Sequence, residues 1–404
     1  MKLLLLNGYG INFRVEKAKL HIVEGRYADE IQPKEYIFSP KKIDVDNIVV
    51  YGRTGEISIE AIRWLVKHNV AVTILDWNGK LLTVITPPES VQVKTKFAQY
   101  ASYKDKALRL EIAQDLIRGK IQRTKTVLDW LSSKYSNVSY DFSVEEDRLE
   151  EALTLNEVMM AEARVAKKYW GELAKIIPEK LEFDGRKTVN KPFGAGDYVN
   201  CMLNYGYSIL EAECLRAINS AGLDVHVGFL HEMKIGCNSL AYDMQEPFRF
   251  LIDLAVISAI EKNKLTNKDF IRTENYNLRL KSSGAKKIIE EINLQFNKKA
   301  KYKGQLYSWN YVLFTQIREL AHYFLGLKRK IDFTKPEFEL ERQDTKEIRN
   351  LILNISYKKW NDLGFSKGTL HPMKQKAKEN KPFYLTQNVK KRLLNRTIVQ
   401  RVTQ

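Results

Sequence analysis

The sequence predicts an α+β chain in three parts: a β-sandwich-like N-terminal domain, an all-α domain, and a small helical, helix-turn-helix-like C-terminal extension. Three observations predict it. Over the first ~95 residues the apolar residues come in short β-branched runs bounded by turn signals. From Ser102 to Leu327 they recur at three- and four-residue spacing, the period of an amphipathic helix. Positive charge then gathers at the C-terminus. Of a net +17 over 404 residues, the 59 residues from Lys346 onward carry 14 Lys/Arg against 3 Asp/Glu, a surplus of 11. The length suits two or three domains with a sizeable core.

In the first domain (1–95), Leu3–Leu6, Leu20–Val23, Ile48–Tyr51 and Ala71–Leu75 read as strands. Asn78-Gly79 reads as a two-residue type I′ hairpin turn, because both positions tolerate positive φ. One helix, Ser58–Lys67, has Ser58 as N-cap and Ile59, Ile62, Leu65 and Val66 on one face. Pro87-Pro88 closes the domain. In the second domain (102–335), Asp105–Lys134, Glu146–Trp170, Asp197–Ala221 and Pro247–Lys262 read as helices. Irregular backbone is expected at Phe193-Gly194-Ala195-Gly196 and from Gly222 to Gln245.

The extended stretch Asp332–Phe338 leads to the third part (344–404). Lys346–Ile355 is a helix, Tyr357–Ser366 a short helix ending in a glycine turn, and a lysine-studded helix runs to Lys378. Helix, glycine turn, basic helix is the pattern of a helix-turn-helix. Pro372 fits if Thr369 is the N-cap, which puts the proline in the first turn. Lys367, Thr369, Lys374, Lys376 and Lys378 are then the DNA-binding candidates; a basic tail touching only phosphates is the plainer alternative.

Charge concentrated on one segment points to a polyanion, nucleic acid ahead of a membrane surface or an acidic protein. Cys201, Cys214 and Cys237 form no CxxC pair and fit a reducing compartment. The apolar run of Met1–Leu6 stops short of the ~7–15 residues of a signal peptide core. Phe248–Ile260 carries Arg249 and Asp253 and falls short of the ~20 residues of a membrane span. A soluble cytoplasmic protein without membrane contact is expected.

Chemistry centres on four residues. Around Glu162 the positions −4, −3, +3 and +4 are Val158, Met159, Val165 and Ala166, so this carboxylate points toward the core side of its helix. A buried carboxylate needs a partner, a proton or a metal. Asp243 and Glu246 are three apart, and Pro247 suits the first position of the following helix, placing Glu246 at its entrance. Ordinary capping is the plain alternative. Asp253 has Arg249 four residues earlier as an intrahelical partner and is assigned to structure. His231 follows His226 in the irregular segment just upstream of the acidic pair. One imidazole with two or three carboxylates suits Mg2+ or Mn2+ better than zinc.

The segment Asp197–Arg249 contains Val199-Asn200, Leu203-Asn204-Tyr205-Gly206-Tyr207, Gly222-Leu223-Asp224, Gly228-Phe229-Leu230-His231 and Ser239-Leu240-Ala241-Tyr242-Asp243. It resembles the CRISPR-associated adaptation endonuclease family, the integrase that inserts spacers. Met160-Ala161-Glu162-Ala163-Arg164 followed by Tyr169-Trp170 is similar to that family's first ligand motif, with Ala163 where glycine is common. The resemblance covers roughly residues 1–330. It implies a homodimer formed through the N-terminal β domain and a helical catalytic domain. It implies metal ligation by Glu162, His231 and Glu246, with Asp243 a further acidic site residue, and possible assembly with a small partner subunit. It also implies a metal-dependent enzyme that nicks DNA and joins 3′-hydroxyl ends to a target. The C-terminal extension resembles that of casposases, so spacer acquisition and casposon transposition both stand. A non-catalytic DNA-binding regulator is the reading from another class, opposed by the presence of all four site residues.

Overall fold

The computed structural model describes residues 2–26, 33–52, 54–76, 79–86, 92–135, 137–186, 195–273, 277–340, 342–343, 346–379, 384–385, 389 and 393, with the side chains of 342–343, 346–347, 367 and 384–385 left out. Asn78, Pro87-Pro88, Phe193-Gly194 and residue 344 lie outside these. Two compact units result: Met1–Thr124 with Tyr140–Pro336, and Lys125–Ser139 with Glu337–Gln404.

The first unit opens with β1 (Leu3–Leu6), β2 (Tyr9–Glu16), β3 (Lys19–Val23), β4 (Glu35–Phe38), β5 (Asn47–Val50), β6 (Thr54–Ile57), α1 (Ile59–Lys67), β7 (Ala71–Leu75) and β8 (Leu81–Ile85). One four-stranded sheet runs β4-β3-β2-β6 and a second β1-β5-β7-β8. Within the second, β1, β5 and β7 are parallel and β8 is antiparallel. Leu6, Phe13, Leu20, Ile22, Ile48, Leu65 and Val72 share one apolar core between these elements. Ser58 caps α1 by accepting from Ala61 N. The buried face of α1 is Ala61, Trp64 and Leu65; Ile59, expected inside, is exposed, because Trp64 turns inward and its indole donates to Ala18 O at 2.9 Å. In the β7–β8 hairpin Asp76 N donates to Lys80 O (2.7 Å) and Gly79 N to Asp76 O (2.9 Å), with Gly79 left-handed at φ 82°; the first residue of the expected turn, Asn78, lies outside the described residues.

The helical part follows: α2 (Val93–Lys104), α3 (Lys106–Ser132), α4 (Ser143–Glu150), α5 (Leu155–Ala174), α6 (Tyr198–Ala221), α7 (Ser239–Gln245) and α8 (Arg249–Glu261). The expected continuous helix Glu146–Trp170 is two helices. Thr154 and Glu157 form a capping box that starts α5 afresh. Asp197 caps α6 and left-handed Gly222 (φ 71°) ends it. α6 is buried on nearly every side and packs against α8. Gly206 permits the close approach, since a Cβ there would clash with Ile252 of α8. Two turns further along α6, Asn47 of β5 donates to Glu213 Oε1 at 2.8 Å, joining sheet to helix through a buried bond.

The helices are also interrupted by two small hairpins, β9 (Phe270–Arg272) with β10 (Leu278–Leu280) before α9 (Ser282–Asn297), and β11 (Lys299–Tyr302) with β12 (Gln305–Ser308) before α10 (Trp309–Phe324). No helix among the described residues is long and apolar enough to cross a membrane. All three cysteines are free.

The second unit contains the two-residue strand β13 (Arg342–Gln343), the helices α11 (Lys346–Asn354), α12 (Tyr357–Asp362) and α13 (Lys367–Lys378), and β14 (Tyr384–Leu385), which pairs with β13. Ile348, Ile352, Trp360, Leu370 and Ala377 form its core with Leu393. The turn between α12 and α13 contains Gly364 in the left-handed region (φ 83°). Contrary to expectation, Ser366 rather than Thr369 is the N-cap of α13, so Pro372 lies inside the helix. Thr369 is diverted to another task. Its hydroxyl donates to Ser366 O (2.7 Å) and accepts from the Trp360 indole (3.1 Å).

Candidate active site

Glu162 stands at the border of the buried face of α5, beside Ala161, with its side chain 25% exposed. Its partner comes from α3: Lys120 donates to Glu162 Oε1. The same ammonium lies 2.5 Å from Glu246 Oε2. Glu246 reaches this point from a short 3-10 turn, Glu246–Phe248, between α7 and α8, with Pro247 in its first positions. Glu246 is buried, and Arg249 Nε lies 3.1 Å from its other oxygen.

The expected Arg249–Asp253 pairing is therefore replaced. Arg249 pairs with Glu246, and Asp253 accepts hydrogen bonds from Tyr207 (2.6 Å) and Tyr169 (2.9 Å). These bonds tie α5 and α6 to α8. A cavity of about 650 Å³ adjoins this cluster, and its lining includes Lys120, Glu162, Glu246, Arg249, Trp170 and Tyr207. His231 and Asp243 stand outside that lining.

Asp243 is fully buried on α7 and organises the preceding loop. Its Oδ2 accepts from the backbone N–H of Phe229 and of Leu230 (3.0 Å), and its Oδ1 from His231 N (2.9 Å). Oδ1 also lies 2.7 Å from His231 Nδ1. A carboxylate only accepts, so the Nδ1 proton points to Asp243 and Nε2 is left as the acceptor or ligand nitrogen. Gly228 makes the geometry possible, because a Cβ there would come within 2.9 Å of Asp243 Oδ2 and 2.8 Å of Ser239. The other histidine of the segment, His226, is engaged with Cys237 O at 2.9 Å.

Electrostatics follow the contacts. Burial works against charge on Glu246, but the opposing charges of Arg249 and Lys120 hold its carboxyl well below the usual range. Burial also opposes charge on Lys120, and the two glutamates outweigh it, raising its pKa. For His231, burial is overcome by the hydrogen bond and charge of Asp243 and the charge of Glu246, so its pKa is raised. Asp253 goes the other way: burial lifts it to about 6.

The four predicted residues thus form two pairs. Glu162 and Glu246 meet at Lys120; His231 and Asp243 meet each other. Among the described residues no group of three or more His, Cys, Asp or Glu is already gathered to hold a metal ion. Two carboxylates are gathered around one cation, and Glu246 Oε2 is buried without a hydrogen bond of acceptable geometry. Lys120 was missed by sequence reading. Only half of the pattern seen around Glu162 is present there: Leu116 and Ile117, four and three residues earlier on α3, are apolar, but Arg123 and Thr124, three and four residues later, are not.

In the second unit, Lys376 and Lys378 are exposed in the last turn of α13. Lys374 instead donates to Leu353 O (3.1 Å) and lies over the Tyr357 ring. The side chain of Lys367 lies outside the described residues.

The family model of CRISPR associated protein Cas1 matches residues 5–293. The chain belongs to the Cas1 family. CRISPR-associated endonuclease Cas1 1 of Archaeoglobus fulgidus is 29% identical over 353 residues, covering 82% of this chain and 99% of that protein. CRISPR-associated endonuclease Cas1 2 of Pyrobaculum aerophilum is 32% identical over 295 residues, covering 72% and 91%. A solved structure described as casposase bound to integration product is 55% identical, with a TM-score of 0.83, covering 88% of this chain and all of that one. Family membership thus agrees with the α+β architecture and the resemblance drawn from the motifs.

Proposed function

We propose that this Cas1-family chain is a DNA endonuclease and integrase that nicks DNA and joins 3′-hydroxyl DNA ends to a target by transesterification. The observation that carries the reading is the meeting of Glu162 and Glu246 on one cation, with the charge of Glu246 acting on a histidine whose Nδ1 is oriented by Asp243. Glu162, His231 and Glu246 would hold Mg2+ or Mn2+, whose chemistry there is to polarise a backbone phosphate and stabilise charge developing on its oxygens. Asp243 keeps the imidazole in one tautomer and orientation. Arg249 holds one oxygen of Glu246 in place, and the Tyr169–Asp253–Tyr207 bonds fix the helices that carry the carboxylates.

In this reading residues 102–335 are the catalytic domain and residues 1–95 mediate homodimerisation, with a small partner subunit in the adaptation complex. Residues 344–404 are a DNA-binding module, with Lys376 and Lys378 the foremost phosphate contacts and Lys367 a further candidate. The engagement of Thr369 and Lys374 within their own unit argues that they act first by shaping it. The enzyme works in the cytoplasm on double-stranded DNA.

Spacer acquisition in CRISPR adaptation is the process supported by the family and its named endonucleases. A second reading, the integrase of a casposon, is favoured by the 55% identity to a casposase over that protein's whole length. Both use one reaction. The test is strand transfer with Mn2+, using DNA ending in 3′-hydroxyl or 3′-deoxy groups. Joining is expected only with the hydroxyl, and Glu162→Ala, His231→Ala and Glu246→Ala are each expected to abolish it while leaving DNA binding. Normal joining by any one variant would remove that residue from the ligand set. Offering casposon ends and a repeat array in parallel separates the two processes.

A further inference from the structure

We propose that Lys120 is the site's resident counter-cation: its ammonium group holds Glu162 and Glu246 together in the metal-free protein and must withdraw from between them when a divalent cation enters. The inference rests on the metal reading given above.

Three observations carry it. The first is convergence. Lys120 comes from α3, Glu162 from α5 and Glu246 from the turn before α8, yet the two carboxylates share one Nζ. The three side chains are 14%, 25% and 6% exposed, so little water is present to screen the repulsion of two carboxylates held at a common point. A positive charge has to stand there for the carboxylates to be assembled before metal arrives. The second is the nature of the contact. Nζ lies 2.5 Å from Glu246 Oε2. At that distance, and with both side chains largely out of water, the two charges attract with little screening. The third is the division of labour on Glu246. Arg249 attends Oε1 from its own helix, and Lys120 attends Oε2. A lysine is a point charge on a flexible four-carbon stem, whereas a guanidinium is a rigid fork. The exchangeable oxygen thus has the exchangeable cation, and the adjoining cavity of about 650 Å³ gives the ammonium somewhere to go.

The test measures Mn2+ affinity of the full chain by electron paramagnetic resonance titration, with thermal melts in the absence and presence of Mn2+. Lys120→Met keeps the length of the stem and removes the charge. It is expected to bind Mn2+ about tenfold or more tightly than wild type, because no internal cation competes. Its metal-free melting temperature should be lower, with the deficit closing as Mn2+ saturates. Lys120→Arg, able to bridge both carboxylates with its fork, is expected to bind Mn2+ more weakly than wild type. Unchanged or weaker affinity in Lys120→Met overturns the proposal. Should that variant fail to fold, equal or tighter binding by Lys120→Arg overturns it. Equal Mn2+ binding by wild type and Glu162→Gln is a different failure: it removes the metal reading, and the lysine's role with it.

Discussion

The carboxylate site of the first unit and the basic helices of the second handle charge in opposite ways. Around Glu162 and Glu246 the charges are withdrawn from solvent and each is answered by a named partner, Lys120 or Arg249. On α13, Lys376 and Lys378 are exposed, and the burial is done by Trp360, Leu370 and Ala377 behind them. On the proposed function, the difference reflects two tasks. Stabilising charge that develops during a reaction requires groups fixed in a poorly screened place. Holding a polyanion requires only positive charge at the surface, where counterion release supplies the affinity. The first region should therefore be sensitive to geometry and the second to charge and salt.

The largest expected effect breaks the second region without touching the first. Trp360 is fully buried and its indole donates to Ser366 O at 3.0 Å. Trp360→Ala should cost ~3–5 kcal/mol, confined to the C-terminal unit. Hydrogen exchange should rise across 346–379 while Mn2+ affinity stays at the wild-type value; a parallel loss of metal binding would mean the two regions are not separable.

Asp243→Ala is the converse. It strips an acceptor from three backbone N–H groups and the His231 ring, which should cost about 3 kcal/mol. Strand transfer should fall by ~10- to 100-fold through the disoriented histidine. Urea unfolding and initial joining rates check both, and a variant with wild-type rate would take away the positioning role of Asp243.

Asp253 sharpens the comparison through pH. Its pKa rises from 3.8 to about 6 in the folded protein. A carboxyl that binds its proton more tightly when folded contributes stability below pH ~4, and that stability is lost as pH rises through ~6. Asp253→Asn has no such dependence, so its stability relative to wild type should rise by roughly 2–3 kcal/mol between pH 4 and 7. Parallel stability curves would show that Asp253 titrates normally. Smallest are Lys376→Ala and Lys378→Ala, each expected to lower the salt slope of DNA binding by about 1 with little change in joining at saturating DNA. An unchanged slope would move the phosphate contacts elsewhere.

Local rules made much of this molecule legible. Ser58 and Asp197 cap helices as their chemistry predicts, Gly222 ends α6, and Pro247 opens the turn that carries Glu246. Each depends on a few neighbouring residues. Where reading failed, a competing contact came from elsewhere in the chain or a nearer signal was passed over. Thr154 and Glu157 spell a capping box inside what reads as one long helix. Arg249 prefers Glu246, because the phenols of Tyr169 and Tyr207 already serve Asp253. Thr369 yields the capping role to Ser366, because the Trp360 indole donates to its hydroxyl.

By itself the sequence determined the family, the order of strand-rich and helical regions and the basic C-terminal segment, and it pointed to four acidic and imidazole side chains as site candidates. Periodicity, caps and motifs are properties of neighbours along the chain, and they survive without coordinates. Only the tertiary structure decided that Glu162 and Glu246, 84 residues apart in the numbering, meet on Lys120, and that Asp243 serves His231 rather than joining them. The reason is physical. A buried charge must find its counter-charge wherever packing brings one, and packing is settled by the whole core at once.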